Sequence, residues 1–204
     1  MNIAIIGSGH IGGTLAQGWA NAGHTITFGV RDLDQFKGKD LLKLPRISAT
    51  PIADAAAFSE VILIAATPTA TREIAESLGD VSGKIILDAM NSVRGQAGEF
   101  ASSAEALRAY THGAEVVKCF NSTGWENMAD PIYDGLAADM FMAGSSARGK
   151  AVARQLALDL SFANCYDFGG DDKIPLLEQF ALAWITLAIV QKQGRGLAFK
   201  VLKR

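Results

Sequence analysis

The chain has 204 residues, 19 Lys and Arg against 21 Asp and Glu, a formal charge of −2 and a hydrophobic content of 49%. This is one domain, or one with a short appendage, able to bury a full core. No basic run offers nucleic acid a footprint, and Cys119 and Cys165, far apart and outside any CxxC pair, argue against a structural zinc and a disulfide framework. The sequence starts directly on a strand pattern with no signal peptide, and its longest apolar run, Phe180 to Val190, is too short for a bilayer, which takes about 20 residues. The expectation is a soluble cytoplasmic protein with no membrane contact and no metal site.

The first element is an apolar strand, Ile3 to Ile6, feeding into Gly7-Ser8-Gly9-His10-Ile11-Gly12 and then a helical pattern to Ala22, with Gly23 as its stop. A GxGxxG motif alone is weak; between a strand and a helix it is a dinucleotide fingerprint. Gly7 permits the tight turn, Gly9 lets a pyrophosphate approach the backbone, and Gly12 lets the helix pack on the sheet. The N–H groups of that helix start, helped by its dipole, face the phosphates. The alternative is an ordinary glycine-rich turn.

The next strand, Thr25–Val30, ends in Arg31 and Asp32. An NAD-selective unit places a carboxylate at this tip for the ribose 2′-hydroxyl. Here a guanidinium emerges first, suited to bidentate pairing with a 2′-phosphate, and Lys37 or Lys39 can add a second charge. The tip therefore points to NADP(H) over NAD(H), with two alternatives: Arg31 pairing with Asp32, or Asp32 rotating toward the ribose.

Asp32–Pro45 reads as loop or short helix, Ile47–Ala49 as a strand and Ala53–Phe58 as a helical turn or two. Glu60–Ala66 is a nearly fully apolar strand, as a parallel strand covered on both faces should be. Helix Ala70–Leu78, strand Lys84–Asp88, a glycine-containing loop, helix Ser102–Tyr110 and strand Glu115–Phe120 follow, then strand Asp139–Ala143, helix Ala147–Leu160, strand Cys165–Phe168 and an apolar last helix, Pro175–Gln193. The alternation predicts an α/β, Rossmann-type doubly wound, mostly parallel sheet with a short apolar C-terminal helical extension, divided as residues 1–168 and 169–204.

In such sheets ligands sit outside the carboxyl ends of the strands. There the sequence puts Thr67 and Pro68, Asn91 and Ser92, and Asn121 and Ser122, small polar groups suited to ribose and nicotinamide, each also an ordinary turn former. No acid–base pair accompanies them. His10 is in the glycine loop, His24 and His112 are at the wrong edge, Lys118 is expected to pair with a carboxylate, and Asp88 is read as a strand end or helix cap. Alcohol oxidation needs a general acid or base, whereas hydride transfer to a flavin-like ring asks little of side chains. No catalytic residue is therefore assigned.

Four motifs together, Gly7–Gly12, Gly29-Val30-Arg31, Ala66-Thr67-Pro68 and Val117-Lys118-Cys119-Phe120-Asn121, resemble the NADP reductases that use the deazaflavin coenzyme F-420, and the NADPH-binding domain of the STEAP metalloreductases is similar. The likeness continues into the Gly194-x-Gly196-x-Ala198-Phe199 segment. The resemblance implies NADP(H) on the glycine loop, its 2′-phosphate near Val30 and Arg31 and its nicotinamide near Thr67, Pro68 and Asn121, and a C-terminal extension that helps form a homodimer. Two departures stand out. Val30 replaces a serine hydroxyl, and Asp171 and Asp172 lie where the anionic deazaflavin is expected, which leaves a flavin as another acceptor.

The last helix carries apolar residues on more than one face, and with Trp125–Tyr133 it is expected to form the dimer contact and wall a small-molecule acceptor pocket. The functional expectation is NADPH-dependent hydride transfer to deazaflavin or flavin. The alternatives are a small imine reductase of the pyrroline-carboxylate type and a non-catalytic NADP(H)-sensing module.

Overall fold

A computed structural model describes residues 1–92 and 96–204, so residues 93–95 of the glycine-containing loop lie outside the described residues. In chain order the elements are β1 (Asn2–Ile6), α1 (His10–Asn21), β2 (Thr25–Val30), β3 (Ile47–Pro51), α2 (Ile52–Phe58), β4 (Val61–Ile64), α3 (Thr71–Ser77), β5 (Ile85–Asp88), α4 (Ser103–Tyr110), β6 (Glu115–Cys119), α5 (Trp125–Ala129), β7 (Ile132–Tyr133), β8 (Leu136–Ala137), β9 (Asp139–Ala143), α6 (Ala147–Leu158), β10 (Asn164–Asp167) and α7 (Ile174–Ile185). The last helix continues through a π-type turn, Thr186–Val190.

Among the described residues eight strands form one sheet in the order β10-β9-β6-β5-β4-β1-β2-β3. The reversal between β1 and β4 is the topological switch point, where ligands of doubly wound sheets sit. Six strands are parallel; β9 runs antiparallel to β6, and β10 follows β9. The expected mostly parallel Rossmann sheet is thus present. Its apolar strands are explained by two cores. Ile3 and Ile5 face Leu15, Trp19 and Leu156, while Ala4 and Ile6 face Ala55 and Ile74 on the other side. Each fully buried Ile or Leu contributes roughly 1.5–3 kcal/mol.

The α5 helix and the β7–β8 hairpin are absent from the expectations. The hairpin turns on Asp134 (φ 49°) and Gly135 (φ 84°), the Asp-Gly pair favoured by type I′ turns. Its strands span two residues each, too few for periodicity to mark them.

The last helix buries one face only. Ile174, Leu177, Glu178, Ala181 and Trp184 lie inside, while Leu176, Leu182 and Leu187 are 55%, 37% and 42% exposed. Helical structure here extends over Asp171–Val190, 20 residues, long and apolar enough by length and composition to cross a membrane. The shorter apolar run read from sequence missed this, because the polar first turn adds length. In this fold the buried face packs on the sheet.

Candidate dinucleotide and acceptor site

The glycine turn is built for close approach. Gly7 has φ +107°, and a Cβ there would lie 2.3 Å from the Ala65 carbonyl oxygen; at Gly12 it would lie 1.9 Å from the Gly7 oxygen. Packing of the chain on itself therefore requires both. Gly9 is different: a Cβ there meets nothing within 4 Å. That open space faces the start of α1, whose N-cap Gly9 supplies no side-chain hydrogen bond and whose first turn carries no acidic residue. Uncapped N–H groups at a helix start are an anion site, so these residues fit a dinucleotide pyrophosphate.

A cavity of about 260 Å³ opens beside this turn, lined by Ser8, Gly9, His10, Thr14, Lys37 and Trp125 among others. The His10 imidazole stacks on Trp125 with ring centroids 5.1 Å apart and 16° between planes. The missed α5 thus supplies a wall of this cavity. Ile11 is half-buried against the core.

The β2 tip corrects part of the expected 2′-phosphate site. Val30 is a core residue, 8% exposed, so only Arg31 projects there. Arg31 pairs with Glu73 at 3.2 Å, not with Asp32. The Asp32 carboxylate is engaged locally, accepting from the backbone N–H groups of Asp34 and Gln35, and so is not turned toward a ribose. Lys39 donates to the Asp34 carbonyl, whereas Lys37 lines the cavity.

Along the crevice, Thr67 and Pro68 begin a short 3-10 turn between β4 and α3. Asn91 and Asn121 hold each other: the Asn91 Nδ2 donates to the Asn121 carbonyl at 2.8 Å, and the Asn121 Nδ2 to Asn91 Oδ1 at 2.9 Å. Phe120, just before Asn121, sits at φ +62°, an unusual conformation for a buried aromatic residue that turns the chain sharply at the end of β6.

Beneath this pair lies a charge cluster that the sequence showed only in part. Lys118, wholly buried on β6, donates to Asp88 Oδ2 (2.8 Å), the Met90 carbonyl (2.8 Å) and Ser103 Oγ (3.0 Å). The expected carboxylate partner is therefore real. Asp88 is more than a cap: it also accepts from the Ser103 hydroxyl and the Met90 N–H. Glu178 of α7 adds a second carboxylate, its Oε1 2.6 Å from Lys118 Nζ. It went unnoticed because it lies in an apolar helix, yet it is the only charged residue between Ile174 and Val190.

The other side is closed by the C-terminal segment. Asn127 Nδ2 donates to the carbonyls of Arg195 and Leu197, Trp184 Nε1 also donates to Leu197, and Asp139 accepts from Lys200 and the Val201 N–H. The Arg195 guanidinium grips Glu126, whose carboxyl it holds below the usual range through hydrogen bonding. Asp171 and Asp172 are engaged too, the first by Ser145 N–H and Arg108, the second by Lys173.

The glycine turn, with open space at Gly9 but none at Gly7 or Gly12, lies inside the segment that the family comparison matches. Residues 2–92 match the family of coenzyme F-420-dependent NADP oxidoreductases. That segment holds three of the four motifs on which the resemblance rested. A structure from Arthrobacter sp. FB24, provisionally named an F-420-dependent NADP-reductase, is similar over 100% of both chains, at 26% identity and TM-score 0.87. A hypothetical protein from Sinorhizobium meliloti is similar over 100% of this chain and 96% of its own, at 24% identity and TM-score 0.71. A reductive aminase from Aspergillus terreus, solved with NADPH, shares the fold at 19% identity and TM-score 0.71; 94% of this chain covers 62% of that one. A search of curated proteins finds no match.

Proposed function

We propose that this reductase-family chain is an NADPH-dependent oxidoreductase that passes hydride to a deazaflavin or flavin-like ring. The observation that carries the reading is the uncapped start of α1 beside Gly9, where a side chain has room in the folded protein yet none is present. Family membership over residues 2–92 supports NADP(H) as the occupant. In this reading the backbone of Gly7, Ser8, Gly9, His10, Ile11 and Gly12 takes the pyrophosphate, Arg31 with Lys37 takes the 2′-phosphate beside the backbone of Val30, and Thr67, Pro68, Asn91 and Asn121 receive the nicotinamide end. When bound, the dihydronicotinamide supplies the hydride, and a proton from solvent completes the reduced acceptor. The chain's own residues hold the two rings in register and exclude water.

The experiment is anaerobic NADPH oxidation by the purified protein with coenzyme F-420 and, in parallel, FMN. Reduction of either supports the reading; tight NADPH binding with no turnover of either overturns the acceptor and favours a sensing module. The imine reductase reading is favoured by one observation, the buried Glu178 carboxylate at the acceptor side, and it is tested with a cyclic imine as acceptor. The exposed Leu176, Leu182 and Leu187 support a homodimer through the C-terminal extension, residues 169–204, and sedimentation tests it.

A further inference from the structure

The Lys118 ammonium has three hydrogens, and all three are spent: on Asp88, on the Met90 carbonyl and on Ser103. Glu178 is its fourth neighbour. The 2.6 Å contact with Glu178 Oε1 is an ion pair off the hydrogen-bond axis, so that oxygen is charge-compensated yet accepts no directed hydrogen bond. Glu178 Oε2 receives only a long bond from the Ser92 N–H, at 3.4 Å. Two further atoms on the same side are without partners among the described residues, Asn121 Oδ1 and Ser92 Oγ. Glu178 is 7% and Asn121 5% exposed. Buried acceptors left unpaired cost free energy comparable to a lost hydrogen bond, so such a cluster asks for an external donor.

The cluster lies at the carboxyl ends of β5 and β6, joined through Asn91 and Asn121, where the reading above puts the nicotinamide and its acceptor. We infer that Glu178, with Asn121 Oδ1 and Ser92, is the subsite that recognises an N–H group on the hydride acceptor, conjugated with the reacting carbon in a deazaflavin and bonded to it in an imine. The inference rests on that reading and narrows its substrate class to acceptors with a conjugated C=N unit, whose nitrogen bears hydrogen in the bound or reduced form. A deazaflavin ring nitrogen and a protonated cyclic imine share this chemistry. Carbonyl acceptors lack it: their oxygen would face two acceptor oxygens. Lys118 positions the Glu178 carboxylate, and its remaining bonds keep it from competing with the ligand.

The test uses the full chain. Pyrrolidinium, the reduced form of a cyclic imine, is titrated into the NADP+ complex by calorimetry, with tetrahydrofuran as the control of equal shape lacking N–H. Steady-state kinetics with NADPH use 1-pyrroline and coenzyme F-420 as separate acceptors. Glu178→Gln replaces one acceptor oxygen with a donor, and a melting curve checks its fold; Ser92→Ala is the second, milder variant should Glu178→Gln fail to fold. The expected result is that Glu178→Gln binds NADPH as wild type does but loses roughly 10- to 100-fold in kcat/KM for the acceptor, with the loss in KM. A loss in the F-420 arm assigns the ring nitrogen, and a loss in the pyrroline arm with pyrrolidinium binding assigns the imine. Unchanged kinetics in a folded Glu178→Gln overturn the inference, as does wild type that neither binds pyrrolidinium nor reduces either acceptor. Failure of NADPH to bind wild type overturns the underlying reading instead.

Discussion

Lys118 Nζ and Asp88 Oδ2 meet at 2.8 Å with both side chains wholly buried, joining adjacent parallel strands β5 and β6 at their carboxyl ends. A buried pair is strongly destabilising to break, since the survivor is left as an uncompensated charge. Here two carboxylates depend on one ammonium. Replacing Lys118 by Met is expected to cost about 3–5 kcal/mol in urea unfolding. A loss under 1 kcal/mol would mean that water reaches the cluster freely.

Gly9→Ala and Gly12→Ala should separate function from folding. The Gly9 Cβ has open space, so that variant is expected to melt within a few degrees of wild type while binding NADPH at least tenfold more weakly. The Gly12 Cβ would lie 1.9 Å from the Gly7 oxygen, and that variant is expected to lose stability by several kcal/mol. Equal NADPH affinity for Gly9→Ala and wild type would show that no phosphate approaches there.

Arg31 and Glu73 are 79% and 64% exposed, so their ion pair is worth little to the fold. Arg31→Ala is expected to change stability by less than about 0.5 kcal/mol. The NADPH affinity should drop roughly 10- to 100-fold and the NADH affinity hardly at all, because a charge-assisted pair to the 2′-phosphate is lost. Parallel titrations with the two nucleotides check this.

Glu126 carries a pH dependence of known sign. Its bond to Arg195, the largest cause, lowers its carboxyl in the folded state, so the contact contributes stability above the ordinary glutamate range and is lost as pH falls through and below it. Arg195 also lies 5.5 Å over the Trp184 ring. Trp184 fluorescence is therefore expected to change on acidification below the ordinary glutamate range and before global unfolding, and Glu126→Gln should abolish that early phase.

The thiols of Cys119 and Cys165 are 3.9 Å apart and fully buried, yet their strands β6 and β10 have β9 between them. Two strand spacings, about 9.6 Å, exceed the Cα separation a disulfide tolerates. Burial raises the Cys119 thiol well above its ordinary range. Mild oxidation is expected to leave both cysteines reduced in the native protein, with thiol-reagent uptake only after denaturant is added.

Short-range features of the fold were legible. The strand, glycine turn and helix of residues 2–21 follow one another directly, and β2 matches its expected bounds, Thr25–Val30, because its alternation and the turn at Gly23 are local signals. That Thr67, Asn91 and Asn121 follow the carboxyl ends of β4, β5 and β6 was also legible, since strand ends can be counted along a sequence. Contacts between distant elements were not. Lys118 and Asp88 are 30 residues apart, and Glu178 reaches them from a helix whose apolar composition hid it. The burial of the Val30 side chain was hidden for a related reason: position at a strand tip does not tell whether a side chain faces the core or the groove.

The bonds from Asn127, Trp184 and Asp139 to residues 195–201 impose an order on biosynthesis. These buried donors and acceptors are made well before their partners, so a nascent chain stalled on the ribosome short of residue 195 holds them open to water. The strands β1 to β5 can pair while translation continues, but Asn127, Trp184 and Asp139 can be capped only after residues 195–201 have left the exit tunnel.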